Sequence, residues 1–514
     1  MFGIAVHGGW LSRLAPDVRS RLARALGQAV ALRSVVIVDA PEELQRSIAA
    51  VSDKITFADG AKSKLALQAS PQASWIFVGA TFSGPGIIPL VIGKESREPG
   101  VAWTGTANGV ELLCAVGRGS GLEMALAPSS AEQLSKQLAH RFKSQLDALQ
   151  RHRSAYVFGA KRLGTLVGAG LKSLGHSVAA YLDNNPAAWG RHEDGAAIQG
   201  IDAKLDRNLP VIIGTTRFPF TLSQQLAKAG FTQVIPYPLM TLVDATAFPD
   251  EIPYIGTYQD IAAHREKYLS EYLNYGDDRS REVLDALLRY RLTLDSTVVQ
   301  SHFEPESEQY FDPDLARFTQ SEVWVDAGGF DGQTTLNFMS RVGGRYGRVY
   351  YFEPDAALMA RSRQAMHDRD NVVFCEAGAF SRNGVTSFNT TGTTNGSINP
   401  AAGASGDITI AVSRIDDVLK EPATFIKMDI EGAEPEALKG AKEQIARHAP
   451  RLAIAAYHRG EDIWQLAELI RDLNPSYQLG LRHYTEGDWK PSSMRIGQAG
   501  LKKEVRYPRQ SRGL

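Results

Sequence analysis

Short apolar runs that end in glycine or an acidic residue, separated by segments of helical period, dominate this chain and leave it few folds. VVIVDA (35–40), SWIFVGA (74–80), SAYVFGAKRLG (154–164), PVIIGTT (210–216), EVWVDAG (322–328), RVYYFEP (348–354), NVVFCEA (371–377) and TFIKMDI (424–430) have this form, and RLAIAAY (451–457) is a further apolar run. A continuous β-branched and aromatic run suits a strand buried on both faces, and the helical stretch between two runs supplies the crossover that parallel strands need. The expectation is an α/β protein with parallel sheets.

The 514 residues correspond to about three domains at roughly 150 residues each. Residues 1–150 read as an α/β region without a clear assignment: strands at 35–40 and 74–80, a helix starting at Pro41, no usable period from 84 to 121, and a helix over 129–149. Residues 151–250 read as a doubly wound Rossmann-like module: strand, glycine turn, helix, a strand ending in Asp183, then a third strand. Residues 251–320 form a helical connector, with Val283, Leu284, Leu287 and Leu288 on one stripe. The last domain spans 321–489, with a further strand YQLGLRHY (477–484), and 490–514 read as a basic, disordered tail.

Charge excludes some functions. Lys and Arg total 56 against 57 Asp and Glu, so no basic excess points to nucleic acid. Cys114 and Cys375 are the only cysteines, which excludes a disulfide framework and a cysteine-rich metal centre. The start MFGIAVHGGWLSRL lacks a signal-peptide pattern, and no long apolar run is present, so a cytoplasmic protein without a transmembrane segment is expected.

The strongest chemical signal is VDAGGFDGQTT (325–335). A strand running into Asp326 and Gly328, with Gly332 opening a helix, lets backbone approach a ligand closely. No lysine follows the glycines, so this is not a P-loop. An acid ahead of the first glycine suits a cationic ligand end better than a pyrophosphate. Glu353, 21 positions after Gly332, sits at the tip of the next strand, where a carboxylate can accept both hydroxyls of an adenosine ribose. NAD and S-adenosylmethionine (SAM) proteins share this arrangement; Asp326 and the loose Gly328/Gly332 spacing favour SAM. In FIKMDIEGAEPEALKGA (425–441), Lys427, Asp429 and Glu431 alternate at a strand end, on one face. Asp429 and Glu431 could bind a hard divalent cation or orient a hydroxyl, or the three could be a structural lysine–carboxylate network.

With YFEPD, AYHRGEDIW, LRHYTEG and the upstream EQYFDPDL, these segments resemble the FkbM-type SAM-dependent methyltransferases over about 258–489. The resemblance implies a class I methyltransferase sheet, SAM as methyl donor, and a sugar, glycan or related small-molecule hydroxyl as acceptor. Carried over, Asp326, Gly328 and Gly332 would surround the methionine end of SAM and Glu353 would hold the ribose. Glu376 and Ala377 would lie near the adenine, with Asp429, Glu431 and His458 on the acceptor side. His458 is then the best available base; the rival is a histidine merely hydrogen-bonded to Asp429 or Glu431.

One departure concerns the end of the chain. Class I sheets usually finish with an apolar antiparallel strand, whereas this chain continues as KPSSMRIGQAGLKKEVRYPRQSRGL. MRIGQAGL (494–501) would be a poor substitute, or the strand would be absent and leave an exposed edge. The middle module resembles the Rossmann-like domain that precedes the methyltransferase in some relatives. Its fingerprint keeps Gly159 and Gly164 but carries Lys161 at the middle glycine position. Two alternatives to a methyltransferase stand at this point. One is a nucleotide-sugar-binding protein with a degenerate methyltransferase domain; the other is an NAD-dependent oxidoreductase using Gly159 and Asp183.

Overall fold

The structure, a computed structural model, describes residues 121–389 and 408–484, apart from 128, 216–217, 250–254, 276 and 314. Elsewhere it describes strand backbone at 4–6, 35–38, 55–58, 74–78, 99–107, 110–117, 397–399 and 493–499. The chain divides into two compact units, Met1–Phe303 with Glu486–Pro491, and Glu304–Thr485 with Ser492–Leu514.

In the first unit, β1 (Ile4–Val6), β2 (Val35–Val38), β3 (Ile55–Ala58) and β4 (Ser74–Val78) form a parallel sheet in the order β1-β4-β2-β3. The helix expected after Pro41 lies outside the described residues. The stretch that showed no period contains an antiparallel pair, β5 (Pro99–Ala107) with β6 (Val110–Gly117). Helices α1 (Ala131–Arg141) and α2 (Lys143–His152) follow, α1 opening on a capping box between Ser130 and Gln133.

A second sheet is built from β7 (Ser154–Phe158), β8 (Ser177–Leu182), β9 (His192–Glu193), β10 (Ala196–Gln199), β11 (Val211–Ile213) and β12 (Val234–Pro236), ordered β12-β11-β7-β8-β10-β9. All its pairings are parallel except β9 with β10. Helix α3 (Arg162–Ser173) makes the crossover from β7 to β8. The long helices α4 (Ile255–Asn274) and α5 (Asp278–Thr293) occupy the expected helical stretch. The carboxylate of Asp277 caps α5 by accepting the Ser280 N–H at 2.8 Å, and Val283, Leu284, Leu287 and Leu288 are all buried.

The second unit begins at Glu304, upstream of the expected start near 321. Its main sheet contains β13 (Val323–Ala327), β14 (Arg348–Phe352), β15 (Val372–Cys375), β16 (Phe425–Met428), β17 (Arg451–Ala455), β18 (Tyr477–Tyr484) and β19 (Ser493–Ala499). They run in the order β18-β19-β17-β16-β13-β14-β15. Pairings from β17 to β15 are parallel, and β19 is antiparallel to both of its neighbours. The doubtful last strand is therefore present, at Ser493–Ala499, and the expectation of an unstructured tail from 490 fails over those residues. It lies between β17 and β18 rather than at an edge, so backbone pairing on both sides holds a segment whose composition is weakly apolar.

Both faces of this sheet are covered, which is why its strands read as unbroken apolar runs. Trp324 stacks between Phe338 (4.4 Å between centroids) and Phe425 (4.7 Å) on one face. Val325, Tyr350, Ile426 and Leu452 pack on the other with Leu438, Ile445, Leu466 and Ile470. Among the described residues, no helix is long and apolar enough to cross a membrane.

Candidate active site

Strand register places the expected site residues in one row. Ala327 pairs with Phe352 and with Met428, Phe352 pairs with Cys375, and Met428 pairs with Ile454. The next residue on each strand is therefore Gly328, Glu353, Glu376, Asp429 and Ala455, side by side outside the carboxyl ends of parallel strands. That edge is where open α/β sheets bind ligands.

The loop after β13 turns sharply. Gly328 has φ 78°, Phe330 53° and Gly332 82°, and Gly332 opens α6 (Gln333–Arg341). A Cβ on Gly328 would stand 1.9 Å from the Asp429 carbonyl oxygen, so only glycine lets the β13 loop lie against the tip of β16. Asp326, expected to meet a cationic ligand end, is fully buried instead. Its carboxylate pairs with Lys427 Nζ at 2.9 Å and accepts the Thr335 hydroxyl at 2.6 Å. Lys427 also donates to the carbonyls of Gly328 (2.6 Å) and Ala327 (3.3 Å). Register makes Asp326 and Lys427 direct neighbours across β13 and β16, so the pair braces the glycine loop from beneath.

Glu353 is also buried, and each of its oxygens takes one backbone N–H: Oε2 from Phe330 and Oε1 from Asp355, both at 2.9 Å. Burial raises its pKa, and the two hydrogen bonds do not fully offset that. The bonds fix the carboxylate between the glycine loop and α7 (Ala356–Ala365), and each oxygen retains lone-pair capacity. Glu376 is exposed at the tip of β15 and Ala377 is buried beside it.

On the other side of the row, Asp429 accepts the hydroxyls of Tyr310 (2.6 Å) and Tyr457 (3.0 and 3.1 Å). His458 places Nε2 3.4 Å from Asp429 and 3.5 Å from Glu431, and Nδ1 3.1 Å from Glu434. Burial alone would lower the His458 pKa, but the charges of Glu434, Asp429 and Glu431 raise it to about 9. Burial likewise pushes Asp429 up, yet His458, Lys427 and the two tyrosines bring it below its ordinary value. Both tyrosines are held well above their usual range, first by burial and then by Asp429, so they stay protonated donors. Asp462, fully buried at the start of α8 (Asp462–Leu473), is raised by burial and by Glu434. Glu431 has a left-handed backbone (φ 56°) and, at 37% side-chain exposure, is the most open carboxylate of the group.

Sequence reasoning thus finds the row itself and His458, but it misses Tyr310, Tyr457, Glu434 and Asp462. Tyr310 lies 119 positions from its partner and carries no local signal. Asp462 reads simply as the acid at a helix start.

The middle module has its own glycine turn. Gly159 has φ 103°, and a Cβ on Gly164 would fall 1.9 Å from the Gly159 carbonyl oxygen, so helix and turn pack backbone to backbone. Lys161 occupies the cap position of α3, and Asp183, just past β8, accepts the Asn185 N–H at 2.8 Å.

Comparison with known proteins accords with the second unit's architecture. Residues 326–479 match the methyltransferase FkbM domain family. No curated protein matches the chain. A crystal structure of methyltransferase FkbM from Methylobacillus flagellatus KT is similar in fold, with a TM-score of 0.55 and 23% identity over 71% of this chain and 100% of that one. An rRNA methylase from Streptococcus thermophilus superposes with a TM-score of 0.25 and 16% identity, over 35% of this chain and 88% of its own. Aeropyrum pernix fibrillarin with bound SAM gives 0.24 and 13%, over 36% and 70%. Through residues 326–479 the chain carries a methyltransferase domain of the FkbM family.

Proposed function

We propose that this domain transfers a methyl group from SAM to a hydroxyl of a sugar, glycan or related metabolite. The observation that carries the reading is the Glu353 carboxylate. It is buried at a strand tip and fixed by two N–H bonds, with an acceptor lone pair left on each oxygen for a vicinal diol. The donor set fits SAM. Glu353 would hold the ribose, the left-handed turn at Gly328 and Gly332 would border the methionine end, and Glu376 with Ala377 would flank the adenine.

SAM, when bound, supplies an electrophilic methyl carbon, so the chain has to bind, align and accept one proton. Alignment supplies most of the acceleration in such a displacement. Asp326 and Lys427 contribute by holding the glycine loop against β16. Asp429 and Glu431 flank the acceptor side. His458, the base expected from the sequence, has a carboxylate facing each ring nitrogen, which leaves it no open edge toward an acceptor. We assign proton acceptance to Glu431, the most exposed of these carboxylates, with Asp429 orienting the hydroxyl.

The test is release of S-adenosylhomocysteine by the full chain across a panel of sugar and polyol acceptors, beside Glu431→Gln. The reading expects acceptor-dependent release that the substitution reduces by about 100-fold or more while SAM binding persists. SAM binding without turnover on any acceptor would favour the binding-protein alternative. Undiminished turnover in Glu431→Gln would remove the assigned base.

A further inference from the structure

The surroundings of His458 contain more acidic chemistry than methyl transfer needs. Asp429, Glu431 and Glu434 all stand within 3.5 Å of its ring nitrogens, and Asp462 acts on both His458 and Glu434. Lys427 acts on Asp429 but is itself paired with Asp326, so it offsets only part of this group. Arg459 borders the cluster and acts on Asp462 and Glu436. Four carboxylates therefore meet His458 and Arg459 largely out of water. Buried charge of one sign persists where it is paired or bound to a metal.

We propose that Asp429, Glu434 and one imidazole nitrogen of His458 form a binding site for a first-row divalent transition-metal cation. Ligand atoms of these three residues lie within 4.8 Å of one another. The separation from His458 Nδ1 to Glu434, 3.1 Å, resembles the edge between adjacent donors around an ion with bonds of about 2.0–2.2 Å, while Asp429 stands 3.4 Å from the other ring nitrogen, Nε2.

A second, independent observation points the same way. Both His458 ring nitrogens, Glu434 Oε2 and Asp462 Oδ1 are buried with no hydrogen-bond partner, although carboxylate oxygens stand close to the ring. The Glu434 and Asp462 side chains have no exposure and that of His458 has 7%. A cation held by Glu434 and one ring nitrogen would satisfy two of these atoms. With the ion on one ring nitrogen, the other becomes an N–H donor to the carboxylate it faces, the usual support for a metal-bound imidazole.

The donor set also selects the metal. One imidazole with two carboxylates suits manganese, cobalt, iron or zinc, whereas magnesium keeps its waters and favours oxygen donors alone. Asp429 belongs to the strand-tip row, so an ion there would border the acceptor hydroxyl. That consequence rests on the methyl-transfer reading; occupancy of the site does not.

The experiment uses the untagged, chelator-treated full chain titrated separately with Co2+ and Mn2+, without SAM. Uptake is read by the cobalt visible spectrum and by manganese electron paramagnetic resonance with nitrogen-14 modulation. Saturable binding of one equivalent with an imidazole-nitrogen signature is expected, weakened by about 10- to 100-fold in Asp429→Asn and His458→Ala. No saturable uptake by the wild type, no nitrogen signature, or wild-type affinity in either folded variant overturns the site. Should a variant fail to fold, the wild-type stoichiometry and nitrogen signature decide. A separate SAM titration of the metal-free chain keeps this outcome distinct from the fate of the methyl-transfer reading.

Discussion

Replacing Glu353 with alanine separates what this residue does for a ligand from what it does for the fold. Its two oxygens each accept one backbone N–H at 2.9 Å, leaving one lone pair apiece for the ribose hydroxyls of the SAM proposed to bind there. Two hydrogen bonds to a charged acceptor, at about 1.5 kcal/mol each, sum to ~3 kcal/mol. That is roughly a hundredfold in Kd, measurable by calorimetry with SAM at neutral pH. The pH dependence has a definite sign. Burial raises the Glu353 pKa, and the diol needs the carboxylate, so wild-type affinity declines as pH falls through that raised value while the alanine variant stays flat. Stability runs the other way. A folded pKa above the unfolded value of about 4.3 means that this group's contribution is present below the unfolded value and lost as pH rises through the folded one. Thermal melts of the ligand-free proteins should therefore shift in favour of Glu353→Ala across that window. SAM affinity equal in the two proteins at neutral pH would refute the reasoning.

Other residues give independent tests. Lys427→Met leaves the fully buried Asp326 without its partner and should cost about 3–5 kcal/mol in denaturant unfolding; adding Asp326→Asn should recover much of it. Trp324→Ala removes the ring stacked between Phe338 and Phe425 and should cost about 3–5 kcal/mol in the same assay. The Glu322 pKa is lowered: burial raises it, but Thr424 and Arg451 outweigh burial. Its contribution is present above the unfolded value of about 4.3 and lost as pH falls through the folded one, so acid melts of Glu322→Gln should show a shallower pH dependence.

What was legible in the sequence was local. Gly328, Gly332 and Glu353 sit where a strand, a turn and the next strand tip dictate, and apolar runs mark strands buried on both faces. Asp326 shows the limit, because its acid position was plain but its burial depends on Lys427 falling opposite it across β16. Tyr310 and Asp462 join the site through tertiary packing, and no spacing rule links them to Asp429, whereas Glu434 is local and its carboxylate accepts the Ile430 N–H at 2.8 Å. Strand β19 was doubtful because SMRIGQA has little apolar content, and its place is fixed by backbone pairing on both sides. The β5–β6 hairpin did leave a mark. Asn108-Gly109 joins the two strands, a strong hairpin signal obscured by the surrounding glycines and threonines.

The central claim is that the strand-tip row of the second unit is a SAM site. Calorimetry of the purified full chain with SAM and, separately, with NAD(H) tests it most directly. The account predicts one SAM bound per chain and about a hundredfold weaker binding in Glu353→Ala. NAD(H) binding alone, unaffected by the substitution, would contradict it and move the chemistry to the Gly159–Asp183 turn.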